Sequence, residues 1–127
     1  MRAFLTAFAV TVAISAYGVN VPGSYADAQV EWKIHKDSVE YQTYMSEFVQ
    51  FNNHFHIDER GGCYALDREP TTLMLVIGHA NGTEFADVTN VFANGDSPRA
   101  RCFVNSYRWL KTKVPPYIPF VLQMDFQ

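Results

Sequence analysis

The sequence predicts an α+β domain in which a three-stranded antiparallel sheet packs against two helices in two layers. Three observations support this fold class: two segments with apolar residues three and four apart, one apolar run that ends near an Asn-Gly pair, and one final segment of strict alternation. The predicted order is helix, strand, turn, strand, helix, strand, which suffices for one domain of two layers.

Composition excludes several classes of protein. The 127 residues are 48% hydrophobic, 15% aromatic and 18% charged, which is too apolar for a disordered chain and too short for two full domains. Ten Lys and Arg stand against 13 Asp and Glu without a basic run. Nucleic acid is therefore not an expected partner, because its phosphates are bound by clustered cations.

The first predicted helix extends from about Ser38 to Asn53, with Asp37 or Ser38 as its N-cap. Its apolar face is formed by residues at helical spacing: Tyr41, Tyr44, Met45, Phe48, Val49 and Phe51. Gly61-Gly62 is a plausible break downstream. Before the helix, Val30 to Ile34 alternates apolar and polar residues and predicts a short half-exposed strand or an extended segment.

A hairpin is predicted in the middle of the chain. Thr71 to Ile77 is β-branched and aliphatic, Asn81-Gly82 follows, and Phe85 to Phe92 forms the returning strand. An Asn-Gly pair tolerates the positive φ angles of a type I′ turn, which makes it a strong hairpin signal.

The second helix and a last strand complete the predicted domain. Ser97-Pro98 has the pairing of an N-cap with a proline at the first helical position, and the helix is expected to reach about Lys111. Beyond a proline-rich linker at 114–119, Phe120, Leu122, Met124 and Phe126 alternate with Val121, Gln123 and Asp125. This alternation predicts a strand with one buried face.

Residues 1–28 are predicted to be a signal peptide, which leaves residues 29–127 as a single domain. Arg2 precedes an apolar run from Ala3 to Ala16, and Ala26-Asp27-Ala28 fits the small-residue rule for signal peptidase. A cut after Ala28 is preferred, and a cut after Ala26 is the second choice. The alternative is an uncleaved anchor, because residues 3–21 carry no charge and are long enough to span a bilayer.

Export changes the interpretation of the two cysteines. In an oxidising compartment, Cys63 and Cys102 are expected to form a disulfide, with two buried free thiols as the alternative. The predicted location is therefore periplasmic or secreted, with no membrane span after cleavage.

The order of these features resembles the carboxy-terminal domain of TonB and its relatives, over about residues 40–127. The quoted features are the Asn81-Gly82 hairpin, the Val88 to Val91 return strand, Trp109 at the end of the second helix, Pro115-Pro116 and the final alternating strand. A narrower group of two-cysteine periplasmic relatives is closer, with Cys63-Tyr64 and Cys102-Phe103-Val104 at the matching places. The chain departs from the energy transducers because no long Pro-rich spacer precedes the domain.

The resemblance implies an exported, non-catalytic binding or adaptor module of the bacterial cell envelope. In this family an edge strand of the sheet can pair with an extended segment of a protein partner. The expected docking strand is the last one, with Phe120, Val121, Leu122, Gln123 and Met124 as site residues. The same edge could instead pair with a second copy of the chain.

A metal-binding protein or a small enzyme is the alternative. His54 and His56 would project to the same face of an extended segment and could hold a divalent metal with Asp58 or Glu59. Surface histidines are the simpler interpretation. The sequence contains no Ser-His-Asp spacing, Gly-rich phosphate loop or Cys-x-x-Cys motif, so neither catalysis nor a cofactor is predicted.

Overall fold

The computed structural model describes residues 21–52 and 60–127. Within these residues the chain forms four helices and four strands. The helices are α1 (Tyr25–His35), α2 (Val39–Phe51), α3 (Arg60–Tyr64) and α4 (Pro98–Tyr107). The strands are β1 (Thr71–Asn81), β2 (Phe85–Ala93), β3 (Lys111–Lys113) and β4 (Phe120–Phe126). The α+β class expected from the sequence is therefore present.

The four strands form one antiparallel sheet in the order β3-β2-β1-β4. The central strand β1 pairs with β4 from Thr71↔Phe126 to Ile77↔Phe120. At the opposite side, β3 pairs with the start of β2, from Phe85↔Lys113 to Asp87↔Lys111. Strands β3 and β4 are thus the two edges of the described sheet.

The main core lies on one face of the sheet, beneath α2 and α4. The largest fully buried side chains there are Phe48, Leu73, Leu75, Ile77, Val88, Phe103, Tyr107, Phe120 and Leu122. Aromatic rings connect the layers: Phe103 of α4 stacks on Phe126 of β4 with centroids 4.1 Å apart, and Tyr44 of α2 meets Phe120 edge-on at 4.8 Å. Alternation along β4 thus places the predicted apolar face in this core.

The first helix covers part of the opposite face, so the prediction of only two layers is wrong in this detail. Ala28 of α1 is fully buried against Met74, Val76 and Val121. Trp32, one turn later, packs against both this smaller cluster and the main core. Helix α1 therefore forms a partial third layer beside β4.

The expectation of a strand or extended segment at Val30 to Ile34 is also wrong, because these residues belong to α1. Ser24 caps this helix by accepting a hydrogen bond from the Asp27 amide at 3.1 Å. Val30 and Ile34 are 62% and 67% exposed, so their apolar character does not mark a buried face. The residues that contact the sheet are Ala28 and Trp32, which are four apart, as on one helix face.

The two predicted helices are confirmed, with a difference at the end of the second. Ser38 caps α2 through the Tyr41 amide, and Ser97 caps α4 through the Ala100 amide. Helix α4 ends at Tyr107 rather than near Lys111, and Trp109 has a φ angle of +67°. The extended backbone of Arg108, with a ψ angle of 133°, ends the helix, and the Trp109 amide then donates to the Val88 carbonyl at 2.7 Å.

The hairpin is confirmed, but its turn is longer than a type I′ turn. Asn81 pairs with Phe85, and Gly82, with a φ of +79°, lies in the loop between them. The prediction of three strands is wrong, because β3 adds a fourth. Its sequence Lys-Thr-Lys contains no apolar residue, so hydrophobic alternation does not reveal it.

Both predicted signal-peptidase cuts fall inside α1. A cut after Ala28 would separate Ser24, the N-cap, and the buried Ala28 from the rest of the domain. Among the described residues, no helix combines the length and the apolar character that a membrane span requires.

Candidate functional site: the edges of the sheet

The four histidines do not form a metal site within the described residues. His54, His56, Asp58 and Glu59 lie outside the described residues, so the metal site proposed for them stays a prediction. The other two histidines form separate surface contacts: His35 with Glu31 at 3.2 Å, and His79 with Asp87 at 3.4 Å. In residues 21–52 and 60–127, no group of three metal-ligating side chains comes together.

The predicted disulfide is confirmed. Cys63 of α3 and Cys102 of α4 are bonded, with their Cα atoms 5.4 Å apart. Cys63 is fully buried. The bond closes a separation of 39 residues and ties the short α3 to the helix that covers the core. Its role in the described structure is to stabilise the domain.

A buried cation, Arg99, also has a structural role. Arg99 is only 4% exposed, and its guanidinium donates to the carbonyl oxygens of Glu69 and Gln127 at 2.9 and 3.2 Å. The Arg99 amide donates to the Asp67 carboxylate at 2.9 Å. This bond, with a second from the Glu69 amide, lowers the pKa of Asp67. The pair joins the loop before β1 to the start of α4 and resembles no catalytic arrangement.

The backbone of β4 determines which of its groups point outward at the edge. The Gln123 amide lies 3.4 Å from the Tyr41 hydroxyl of α2, so it faces away from β1. In an antiparallel pair the bonding direction alternates. The backbone groups of Val121, Gln123 and Asp125 therefore form the outer edge, whereas those of Phe120, Leu122 and Met124 face β1.

Two aromatic residues cover the first half of this β4 edge. The Tyr41 hydroxyl accepts from the Gln123 amide, and also from the Trp32 indole nitrogen at 3.0 Å. Because Trp32 belongs to α1 and Tyr41 to α2, both helices contribute to the contact at this edge. We call this Trp32–Tyr41 pair the edge clasp. Asp125, which is exposed, marks the uncovered second half.

The β3 edge is built differently. Val88 donates to the Leu110 carbonyl at 2.9 Å, and Val114 donates to the Glu84 carbonyl at 3.2 Å. By alternation, Thr112 also faces β2, whereas the backbone groups of Lys111 and Lys113 point away from the sheet. Helix α2 also bonds to the outward side of this edge, since the Tyr44 hydroxyl donates to the Lys113 carbonyl at 2.5 Å.

Buried polar groups hold α2 in place over β3. Thr112 is fully buried, and its hydroxyl lies 3.4 Å from the Tyr44 hydroxyl. It also accepts a hydrogen bond of 3.2 Å from the side-chain nitrogen Nδ2 of Asn52. Burial raises the pKa of Tyr44 to about 12, the Thr112 hydrogen bond opposes this shift, and the Glu47 charge adds to it. Tyr44 therefore stays protonated at neutral pH and acts as a hydrogen-bond donor.

A groove runs along α2 beside β3 and the residues that follow it. Three adjoining cavities form it, with volumes of about 310, 240 and 420 Å³. Each pair of cavities has lining residues in common: Glu47 for the first and second, Phe51 and Lys113 for the second and third, and Val114 for the first and third. One end lies between Val39 and Pro116, and the other lies at the hairpin loop, beside Phe85. We call this feature the α2–β3 groove.

Exposed aromatic rings mark the hairpin end of the α2–β3 groove. Phe51 and Phe85 are 46% and 36% exposed, and their ring centroids are 6.3 Å apart. The ammonium group of Lys111 lies 5.7 Å from the Phe85 ring centre. Sequence reasoning placed Phe51 on the core face of the helix and missed β3, so it did not find this groove. The alternation at 111–113 is too short and too polar to have indicated it.

Comparisons with protein-family models, with curated proteins and with solved structures found no match for this chain. The resemblance to the TonB carboxy-terminal domain therefore rests on the residues quoted from the sequence.

Proposed function

We propose that this protein is an exported, non-catalytic binding module that recognises an extended segment of a protein partner by pairing it with an edge strand of the sheet. The single observation that carries the proposal is the α2–β3 groove, which is lined by Lys113, a residue whose backbone amide points outward from the β3 edge. Main-chain hydrogen bonds to an added strand provide affinity, and side chains in a neighbouring groove provide selectivity.

The geometry supports β3 over β4 as the docking edge. At β4 the amide of Gln123 is engaged by the edge clasp, and α1 packs against Val121. At β3 the Tyr44 hydroxyl engages the Lys113 carbonyl, but Lys113 also lines two open cavities beside its outward amide. The expectation from the sequence, docking along Phe120 to Met124, stays as the competing proposal and is distinguished by the experiment below.

Export is supported by the disulfide, since such bonds persist in oxidising compartments and are rare in the cytosol. Together with the apolar start of the sequence, it favours a location in the periplasm or outside the cell. The adaptor role is the one that the resemblance to the TonB carboxy-terminal domain implies.

Site-specific photo-crosslinking in the native cell tests the proposal. A photoreactive phenylalanine analogue replaces either Lys113 at the β3 edge or Asp125 at the β4 edge, both of which are exposed. We expect an adduct with one protein from position 113, identified by mass spectrometry and reproduced with the purified partner. An adduct with a second copy of the chain would identify self-association.

Adducts from position 125 alone would show that the partner docks at β4 and not at β3. A lack of specific adducts at both positions, with the protein folded and exported, would contradict strand pairing as the function.

A further inference from the structure

We propose that the α2–β3 groove binds an extended segment in which basic side chains alternate with neutral ones, the basic set facing α2. This inference rests on the proposed function and adds the chemistry of the partner. It follows from the length of the groove, the charges that line it and the direction of the side chains of β3.

The length of the groove fits a short extended segment. Helix α2 has 13 residues and is about 20 Å long at 1.5 Å per residue. An extended chain covers this distance in about six residues. On the sheet side, the outward backbone groups of the β3 edge are those of Lys111 and Lys113, because Leu110 and Val114 bond to the hairpin. The Lys113 carbonyl already accepts from the Tyr44 hydroxyl, so an added strand would bond to the two outward amides and to the Lys111 carbonyl.

The wall formed by α2 is acidic. Glu40 and Glu47 line the groove at helical spacing, and Glu84 lines its far end. Lys113 is the one cation among the lining residues of the three cavities. A basic segment is therefore the electrostatically complementary partner.

The floor of the groove fits the stems of long basic side chains. Val39, Val114 and Pro116 line the cavity that also contains Glu40 and Glu47. A lysine or arginine can lay its methylene groups along such apolar surface and keep its charged head near a carboxylate. Acidic or short polar side chains would gain neither contact.

Neutral residues are expected on the other face of the added strand. Thr112 points into the core beneath α2, so the alternation of a strand places the side chains of Lys111 and Lys113 on the other face of β3, although Lys113 also borders the hairpin end of the groove. A basic residue directly across from either lysine would place like charges together, which destabilises the pairing. The face of the added strand towards α2 therefore favours basic side chains, and its other face favours neutral ones. Because successive side chains of a strand point to opposite faces, basic and neutral residues alternate along the segment.

Calorimetric titration with synthetic peptides tests the inference on the exported protein with its disulfide formed. The main probe is a capped peptide of about seven residues in which valine and lysine alternate. The comparison peptide has glutamate in place of each lysine. We expect the lysine peptide to bind at least about tenfold more tightly, with an affinity that falls as salt rises.

Variants of the acidic wall test where the peptide binds. The double change Glu40→Gln and Glu47→Gln should weaken binding of the lysine peptide by about two- to thirtyfold, the range for two exposed ion pairs. Asp96→Asn with Asp125→Asn is the matched control, because it removes two exposed charges outside the groove. The control should leave the affinity unchanged.

Backbone methylation tests whether the peptide pairs as a strand. One peptide is N-methylated at its lysines and another at its inner valines, so each lacks the amides of one edge of the strand. Strand pairing predicts that one of them loses binding and the other retains it.

Three results would overturn the inference: no binding of the lysine peptide at about 1 mM, equal loss in the groove and control variants, or binding by both methylated peptides. The crosslinking result at position 113 would then still decide the proposed function separately.

Discussion

The two edges of the sheet are both contacted by α2, yet they differ in what is left open. Tyr41 bonds to the Gln123 amide of β4, and Tyr44, almost one turn later, bonds to the Lys113 carbonyl of β3. At β4 the contact is completed by Trp32 and the packing of α1. At β3 the helix leaves a groove. An edge strand is therefore available for docking according to which helices lie beside it, rather than according to its own apolar pattern.

The largest expected effect concerns the disulfide, which ties α3 to α4. Cys63→Ser with Cys102→Ser should lower the free energy of unfolding by about 2–5 kcal/mol, because the unfolded chain regains the entropy of an open loop. The melting temperature, followed by circular dichroism, should fall by more than about 5 °C. In the molecules that remain folded, α1 and the edge clasp should still cover β4, and the α2–β3 groove should still be open. Two free sulfhydryls in the denatured, unreduced protein would contradict the bond.

The second effect concerns α1, which packs against β4 and the neighbouring strand β1. A chain that begins at Gln29 lacks the Ser24 cap and the buried Ala28, whereas a chain that begins at Val21 keeps both. We expect the shorter chain to lose at least about 1 kcal/mol of stability, the usual value of a lost N-cap. Hydrogen exchange should accelerate at Gln123 and not at Thr112. Equal stability of the two chains would show that α1 does not contribute to the fold.

The third effect compares the two tyrosine hydroxyls directly. Tyr41→Phe and Tyr44→Phe should each cost about 0.5–1.5 kcal/mol, the typical net value of a hydrogen bond. Tyr44→Phe should cost more, because it leaves the Lys113 carbonyl without its donor and the buried Thr112 hydroxyl without one of its partners. Chemical denaturation measures both values. A larger loss in Tyr41→Phe would reverse the ranking of the two edges.

A last effect appears at alkaline pH and concerns Tyr44 beside the β3 edge. Tyr44 has a pKa of about 12 in the folded protein, raised by burial from 10.0. Because the unfolded chain releases this proton first, Tyr44 contributes stability below pH 10 that is lost as the pH rises towards 12. The stability of the unaltered protein should therefore fall more steeply over this range than that of Tyr44→Phe. Parallel curves for the two proteins would contradict the assignment.

Local patterns predicted the elements whose own residues are buried. The apolar face of α2, the caps Ser38 and Ser97, the hairpin and the alternation of β4 are all legible in the sequence. The same holds for the cysteine pair, once export is assumed. In each case the residues that stabilise the element lie within it, or, for the disulfide, the partner is another cysteine.

The elements that sequence reasoning missed depend on tertiary contacts. Val30 and Ile34 suggested a strand, but they are exposed, and α1 is held by Ala28 and Trp32 against the sheet. Strand β3 exists because β2 offers it a partner, and its single buried side chain, Thr112, is polar. The α2–β3 groove results from the spacing between two distant segments, which no local pattern records.

Amide chemical-shift mapping by NMR during titration of the valine–lysine peptide into the purified protein, with its disulfide formed, tests the central claim most directly. Strand pairing in the α2–β3 groove predicts shifts and slower hydrogen exchange at Lys111 and Lys113, with the amides of Gln123 and Asp125 unchanged. Shifts confined to Gln123 and Asp125, or an absence of shifts at both edges while the protein stays folded, would contradict it.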